Sequence, residues 1–168
     1  MIRLANKNDL EHVLDIIKDA QTRLKNLNIN QWQNNYPNKK VISDDIKNKQ
    51  LYVYLLNEQV VATMTILKHE PTYDNIDGKW LNNNDYIVVH RIAVKDNFNA
   101  RGIGKEMLLH AQDLFKKDLK IDTHPHNLPM QKMLKSLNFT YCGNTYIGES
   151  ENDLRYCYQK EYHSESWL

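Results

Sequence analysis

The 168-residue chain is poor in the features that mark several large protein classes. It has two cysteines, Cys142 and Cys157, too few for a disulfide scaffold. Both fall in predicted strands and read most simply as buried thiols, and nothing marks Cys142 as an activated nucleophile. Charge of one sign is missing as well: 22 basic and 21 acidic residues leave a net charge of +1. That balance excludes the electrostatic footprint of a nucleic-acid-binding protein and a polybasic membrane patch. No apolar run approaches the length of a membrane span, and the start Met1-Ile2-Arg3-Leu4-Ala5-Asn6-Lys7 is no signal peptide, so the cytoplasm is the expected location. Repeats and low-complexity linkers are absent too. With this length, that predicts one domain over residues 1–168.

What is present gathers between Asp85 and Phe115. Tyr86 to Val94 is rich in β-branched and aromatic residues and predicts a central strand. After a short polar loop, Ile103, Met107, Leu108, Ala111, Leu114 and Phe115 fall at helical spacing. Arg101, Gly102, Gly104 and Lys105 stand where that helix begins. Glycine lets a ligand approach the backbone, and a helix start offers unpaired N–H groups, so the natural occupant is a phosphate or diphosphate. Two common phosphate loops do not fit. Glu106 follows Lys105 where a P-loop needs Ser or Thr, and Met107 stands where a dinucleotide fingerprint needs its third glycine.

These residues carry a resemblance. His90-Arg91-Ile92-Ala93-Val94 followed by Asn99-Ala100-Arg101-Gly102-Ile103-Gly104-Lys105 resembles the acetyl-CoA site of the GCN5-related N-acetyltransferase (GNAT) superfamily. Gly102 and Gly104 match its Gln/Arg-x-x-Gly-x-Gly/Ala motif, with Asn99 in place of Gln or Arg. Asn127 to Phe139 is similar to a second family segment, with Met130 for Ala, Leu134 for the frequent Tyr and Asn138 for Gly. The resemblance implies an α/β (α+β) fold. Its central sheet is mixed, largely antiparallel and six- to seven-stranded, splayed between the fourth and fifth strands, with helices on both faces.

The remaining pattern fits that frame. Ile2 to Ala5 predicts a first strand, and Asn8 or Asp9 a cap for a helix ending near residues 26–28. A polar loop carrying Trp32 and Tyr36 follows, its aromatics either pinning the loop to the core or lining a pocket. A short helix over about Val41 to Lys49 comes next, with Ser43 or Asp44 near its start. Leu51 to Leu56 and Val60 to Leu67 predict a hairpin. His69 to Asn84 is an acidic, aromatic loop in which Trp80 is a core anchor or a lid. Leu119 to Thr123 predicts a fifth strand parallel to the fourth. Phe139 to Ile147 and Leu154 to Glu161 predict a last hairpin, and the tail with Trp167 is loose unless it docks on a partner.

The resemblance implies acetyl transfer from acetyl-CoA, as co-substrate and without a metal, to a primary amine of a small molecule or amino acid. It assigns the diphosphate to Asn99, Arg101, Gly102, Ile103, Gly104 and Lys105. The pantetheine arm and thioester go to Ile92, Ala93, Val94 and Asn127, with Met130 and Lys132 of the second segment also contributing. Trp32, Tyr36, Tyr73 and Trp80 are candidates for the acceptor pocket. For the base, His90 suits by its titration near neutrality and reads equally as a core-edge histidine. Asp122 and His124 share a strand face by alternation and could form a carboxylate-oriented imidazole, and Glu70 is a third candidate. His124 and His126 have a metal-ligand look but lack a third ligand. Two further readings stay open: a non-catalytic acyl-CoA-binding module, and transfer to a protein N-terminus or lysine. No nucleic acid and no membrane are expected as partners, and a homodimer is left open.

Overall fold

The computed structural model describes residues 1–164; Glu165 to Leu168, and with them Trp167, lie outside the described residues. Eight strands are hydrogen-bonded in the order β1-β2-β3-β5-β6-β8-β7-β4. Of the paired strands, β5 and β6 run parallel and the β1–β2, β2–β3, β6–β8, β7–β8 and β4–β7 pairs run antiparallel, the mixed pattern expected. The chain divides into two compact units, residues 1–66 with 90–108, and residues 67–89 with 109 onward.

The first unit holds β1 (Ile2–Leu4), α1 (Leu10–Asn26), α2 (Lys39–Lys47), β2 (Leu51–Leu56), β3 (Gln59–Leu67, to Ile66), the last residues of β5 (Tyr86–Val94) and the first turns of α3 (Ile103–Phe115). Its core packs Val13, Ile16, Ile17 and Ala20 of α1 and Ile42 of α2 against Leu51, Val53, Val60 and Ala93 of the strands. The cap of α1 differs from expectation. A turn of 3₁₀ helix over Lys7–Asp9 precedes it, so the capping residue is Asn6, whose Oδ1 accepts from the Asn8 amide while its own amide donates to Asp9. The start of α2 moves as well. Asn38 caps it through the Val41 amide, which leaves Ser43 and Asp44 inside the helix. Between β2 and β3 only Asn57 and Glu58 turn, both with positive φ (50° and 66°), as a tight two-residue hairpin requires.

The second unit holds the start of β5, β4 (Asp77–Gly78), β6 (Asp118–Thr123), α4 (Leu128–Ser136), β7 (Thr140–Tyr146) and β8 (Leu154–Lys160). The eighth strand, beyond the expected seven, is β4, and two glycines explain it. Gly78 and Gly143 are opposite partners, and a Cβ on Gly78 would stand 2.2 Å from the Cys142 carbonyl oxygen. Only glycine permits that approach. The β5–β6 ladder runs for three pairs and ends at Val88↔Lys120; Ile121, Asp122 and Thr123 pair with β8. The last hairpin forms as predicted, and Asn138 takes the left-handed conformation at the end of α4 (φ 64°). Cys142 and Cys157 are buried free thiols. Burial pushes the Cys157 thiol up to about 12, so it stays protonated at neutral pH.

Candidate functional site

In the first unit the loop before α3 presents a run of unpaired main-chain N–H groups. A single 3₁₀ turn, Asp96–Phe98, ends in extended Asn99. Ala100 and Gly102 then take positive φ (63° and 79°) on either side of Arg101. Alternating φ signs turn successive N–H groups toward a common side. The first helical bond recorded here is Glu106 N–H to Gly102 O, 3.0 Å. The amides of Arg101 through Lys105 have no acceptor among the described residues. Gly102 is exposed, and a Cβ built on it meets nothing within 4 Å.

Three contacts hold this loop. The Arg101 guanidinium lies 5.1 Å from the Phe98 ring centroid, Arg23 of α1 pairs with Asp96, and the Tyr54 hydroxyl donates to Glu106 at 2.8 Å. Buried Ile103 anchors the helix start while Asn99, Arg101 and Lys105 remain exposed and Gly104 half-buried. Asn99, Arg101, Gly102 and Lys105 therefore lie on one exposed stretch, while Ile103 turns into the core.

Just upstream, Ile92 and Val94 are half-buried and Ala93 belongs to the core. Arg91 lies within β5 with a left-handed backbone, φ 53°. Its Nε and Nη2 grip Asp45 of α2 at 2.7 and 2.9 Å, and its Nη1 donates to the Tyr36 hydroxyl at 2.9 Å. Burial alone would lower the Arg91 pKa, but the bonds to Asp45 and Tyr36 outweigh it and the pKa is raised. Asp45 could have been found from sequence, because it sits between Ile42 and Ile46 on the buried stripe of α2. Trp32 packs against the core and so pins its loop, whereas Tyr36 is 42% exposed.

In the second unit, Tyr73 is 1% exposed and donates to Asp122 Oδ2 at 2.5 Å. Burial and the Asp122 carboxylate hold its pKa well above 10, so the phenol keeps its proton. Trp80 donates from Nε1 to the Tyr73 carbonyl (2.8 Å) and its ring lies 5.3 Å from Tyr73, so both act as anchors of the 69–84 loop. Glu70 caps the turn leading into Tyr73 by accepting from the Thr72 amide. His69 and Asp74, exposed, pair at 3.2 Å on the same loop.

The expected Asp122–His124 pair does not form among the described residues. Asp122 is taken by Tyr73, and His124 Nδ1 accepts from the His126 amide at 3.0 Å. His124 is buried; burial, with Arg155 and His126 nearby, lowers its pKa to about 4. It is neutral at pH 7 and a weak proton acceptor. Because the folded state resists a proton that the unfolded chain takes near 6.5, this group stabilises the fold above about pH 6.5 and that contribution is lost as pH falls toward 4. We expect urea unfolding midpoints to drop between pH 7 and 5, and the drop to be smaller in His124→Gln.

Asn127 caps α4, its Oδ1 accepting from the Met130 amide (3.3 Å), with Met130 half-buried and Lys132 exposed. Leu134, where the resemblance has tyrosine, is 0% exposed, so a tyrosine there would overpack the core rather than reach a leaving group. Among the described residues no group of three His, Cys, Asp or Glu side chains is placed to hold a metal, and no helix is long and apolar enough to cross a membrane.

Residues 17–139 match the model of the acetyltransferase (GNAT) family. A GNAT-family acetyltransferase from Streptococcus agalactiae superposes with a TM-score of 0.90 and 32% identity, covering 98% of this chain and 96% of that one. A GNAT-family acetyltransferase from Listeria monocytogenes shares the fold at a TM-score of 0.71 and 22% identity, covering 96% and 94%. So does the paia N-acetyltransferase of Thermoplasma acidophilum, solved in complex with coenzyme A, at 0.67 and 15%, covering 96% and 98%. A comparison with curated proteins found no match. The family model spans most of the chain and the streptococcal relative spans nearly all of it, and on those two matches the chain belongs to the GNAT family of acetyl-CoA-dependent N-acetyltransferases.

Proposed function

We propose that the chain transfers the acetyl group of acetyl-CoA to a primary amine of a small molecule or amino acid, by direct attack, as a single cytoplasmic catalytic domain. The observation that carries this reading is the cradle before α3: unpaired amides from Arg101 to Lys105, an open Gly102, and two exposed cations. A helix start favours an anion by roughly 0.3–1 kcal/mol from its dipole alone, and hydrogen bonds to a charged group add about 1.5–3 kcal/mol each. The diphosphate of CoA is held there, with Asn99 at the rim. Main-chain groups of Ile92, Ala93 and Val94 pair with the pantetheine arm, and an amide near Ala93 polarises the thioester carbonyl. Asn127 contacts the arm, with Met130 and Lys132 beside it.

The amine must arrive neutral. For a lysine-like amine of pKa about 10.4 that costs roughly 4–5 kcal/mol near pH 7, which a positioned base offsets. Asp122 is the base we assign. His124 has its Nδ1 taken by the His126 amide, and Glu70 is committed to its turn. Attack forms the amide N–C bond and breaks the thioester C–S bond. One proton of the ammonium goes to Asp122, directly or through water, before attack; the second leaves the nitrogen for solvent as the amide forms, and the CoA thiolate leaves to be protonated by solvent.

Two measurements test the whole reading. Calorimetry should record CoA binding that weakens with salt. Thiol release from acetyl-CoA should be stimulated by at least one member of a panel of polyamines, amino acids and short peptides. Absence of a heat of CoA binding would overturn the assignment of the cradle. Stimulation by peptides alone would redirect the acceptor to proteins.

A further inference from the structure

Arg91 is the one residue of the long strand β5 with a left-handed backbone among the described residues. An arginine held there stores strain, of order 1–3 kcal/mol, and such strain persists only where the surroundings over-determine it. Here they do. The guanidinium makes three directed bonds: Nε to Asp45 Oδ2 at 2.7 Å, Nη2 to Asp45 Oδ1 at 2.9 Å, and Nη1 to the Tyr36 hydroxyl at 2.9 Å. Asp45 is fixed in turn by the Thr65 hydroxyl, which donates to its Oδ2 at 2.8 Å. The Arg91 and Asp45 side chains are only 12% and 7% exposed. One ion pair thus joins α2, β3, β5 and the loop before α2.

A buried ion pair is weak evidence of net stabilisation, because desolvation offsets most of the attraction; its best-attested use is to fix one geometry among several. The geometry fixed here is a kink followed at once by Ile92, Ala93 and Val94. We propose that Asp45 and Arg91 are positioning residues for acetyl transfer: the forked pair locks the left-handed turn at Arg91, and so sets the direction in which the Ile92 and Ala93 peptide groups face the acetyl thioester. Through Tyr36 the same guanidinium fixes a loop for which an acceptor-side role is expected. The inference rests on the proposed acetyl-CoA site.

The test separates holding CoA from activating its thioester. Wild type, Arg91→Lys and Arg91→Gly are compared by calorimetry with CoA, by thermal melting, and by the carbonyl resonance of bound acetyl-CoA isotope-labelled at that carbon. Lysine keeps the charge and loses the fork. Glycine accepts the left-handed conformation without strain, so it folds even where another residue would not, and it removes the pair completely. Both variants should bind CoA within about threefold of wild type, since the cradle at Arg101 to Lys105 is untouched. Both should release thiol from acetyl-CoA at least tenfold more slowly, as a small misplacement at a reacting centre can cost about 100-fold. The carbonyl signal should move back toward its free position. Unchanged turnover and carbonyl signal in both variants, whatever their melting temperatures, would reduce the pair to a structural role and overturn the inference. If wild type itself failed to bind CoA, the acetyl-CoA site would fall first, a distinct result.

Discussion

Replacing Gly102 with valine is expected to weaken CoA binding by two orders of magnitude or more while the protein still folds. Within the free protein a Cβ on residue 102 meets nothing within 4 Å. Strain remains, because φ is 79° and an L-residue held in that region costs roughly 1–2 kcal/mol, more for a β-branched side chain. A domain with typical stability of about 5–15 kcal/mol survives that loss. In the complex the same side chain stands in the concavity where the diphosphate must reach the amides of Arg101 to Lys105. Losing two charge-assisted bonds of about 1.5–3 kcal/mol each amounts to a factor between 10² and 10⁴ in affinity. Gly102→Ala should show the same effect at smaller amplitude. Calorimetry with CoA, paired with thermal melting, checks both halves. Wild-type affinity in a folded Gly102→Val protein would mean that the diphosphate does not approach this loop.

Much of this cradle could be read from sequence because its parts are local. Gly102, Gly104, Arg101 and Lys105 lie within one turn of a helix whose apolar spacing is unambiguous, and a helix start brings its donors with it. Hairpin positions were legible for the same reason, being set by alternation and by the Asn57-Glu58 turn. What sequence could not show is long-range pairing. Tyr73 reads as a pocket aromatic until its hydroxyl is found on Asp122, 49 positions away; Arg91 reads as an ordinary strand residue until Asp45 is found 46 positions back. His124 and Asp122 look like a dyad by alternation. The His126 amide and the Tyr73 hydroxyl each take one partner, and neither competitor has a signature in the local pattern. The caps of α1 and α2 were misplaced by a few residues because a 3₁₀ turn at Lys7–Asp9 and the side chain of Asn38 compete for the same orphan donors.

Asp122→Asn is expected to lower kcat by 10²–10⁴-fold, the usual contribution of a positioned general base, with CoA affinity nearly unchanged. The half-buried carboxylate has one oxygen committed, Oδ2 accepting from Tyr73 at 2.5 Å, and Oδ1 accepts from no group among the described residues. Tyr73 cannot take the proton away, because its own ionisation is pushed well above 10 by burial and by the Asp122 charge. It therefore works as a fixed donor that orients the carboxylate and leaves the second oxygen to receive a proton. Asparagine keeps the shape and can still accept from Tyr73 through its amide oxygen, but the remaining group is a donor and cannot act as a base. The expected signature is a loss in kcat with little change in the KM for acetyl-CoA, together with partial recovery at high pH, where a growing fraction of the amine arrives already neutral. Tyr73→Phe should give a smaller loss, since the ring that fills the core is retained and the orienting bond to Asp122 is removed. A folded Asp122→Asn enzyme with wild-type kcat would move the proton acceptor elsewhere, with His90 on β5 the next residue to replace.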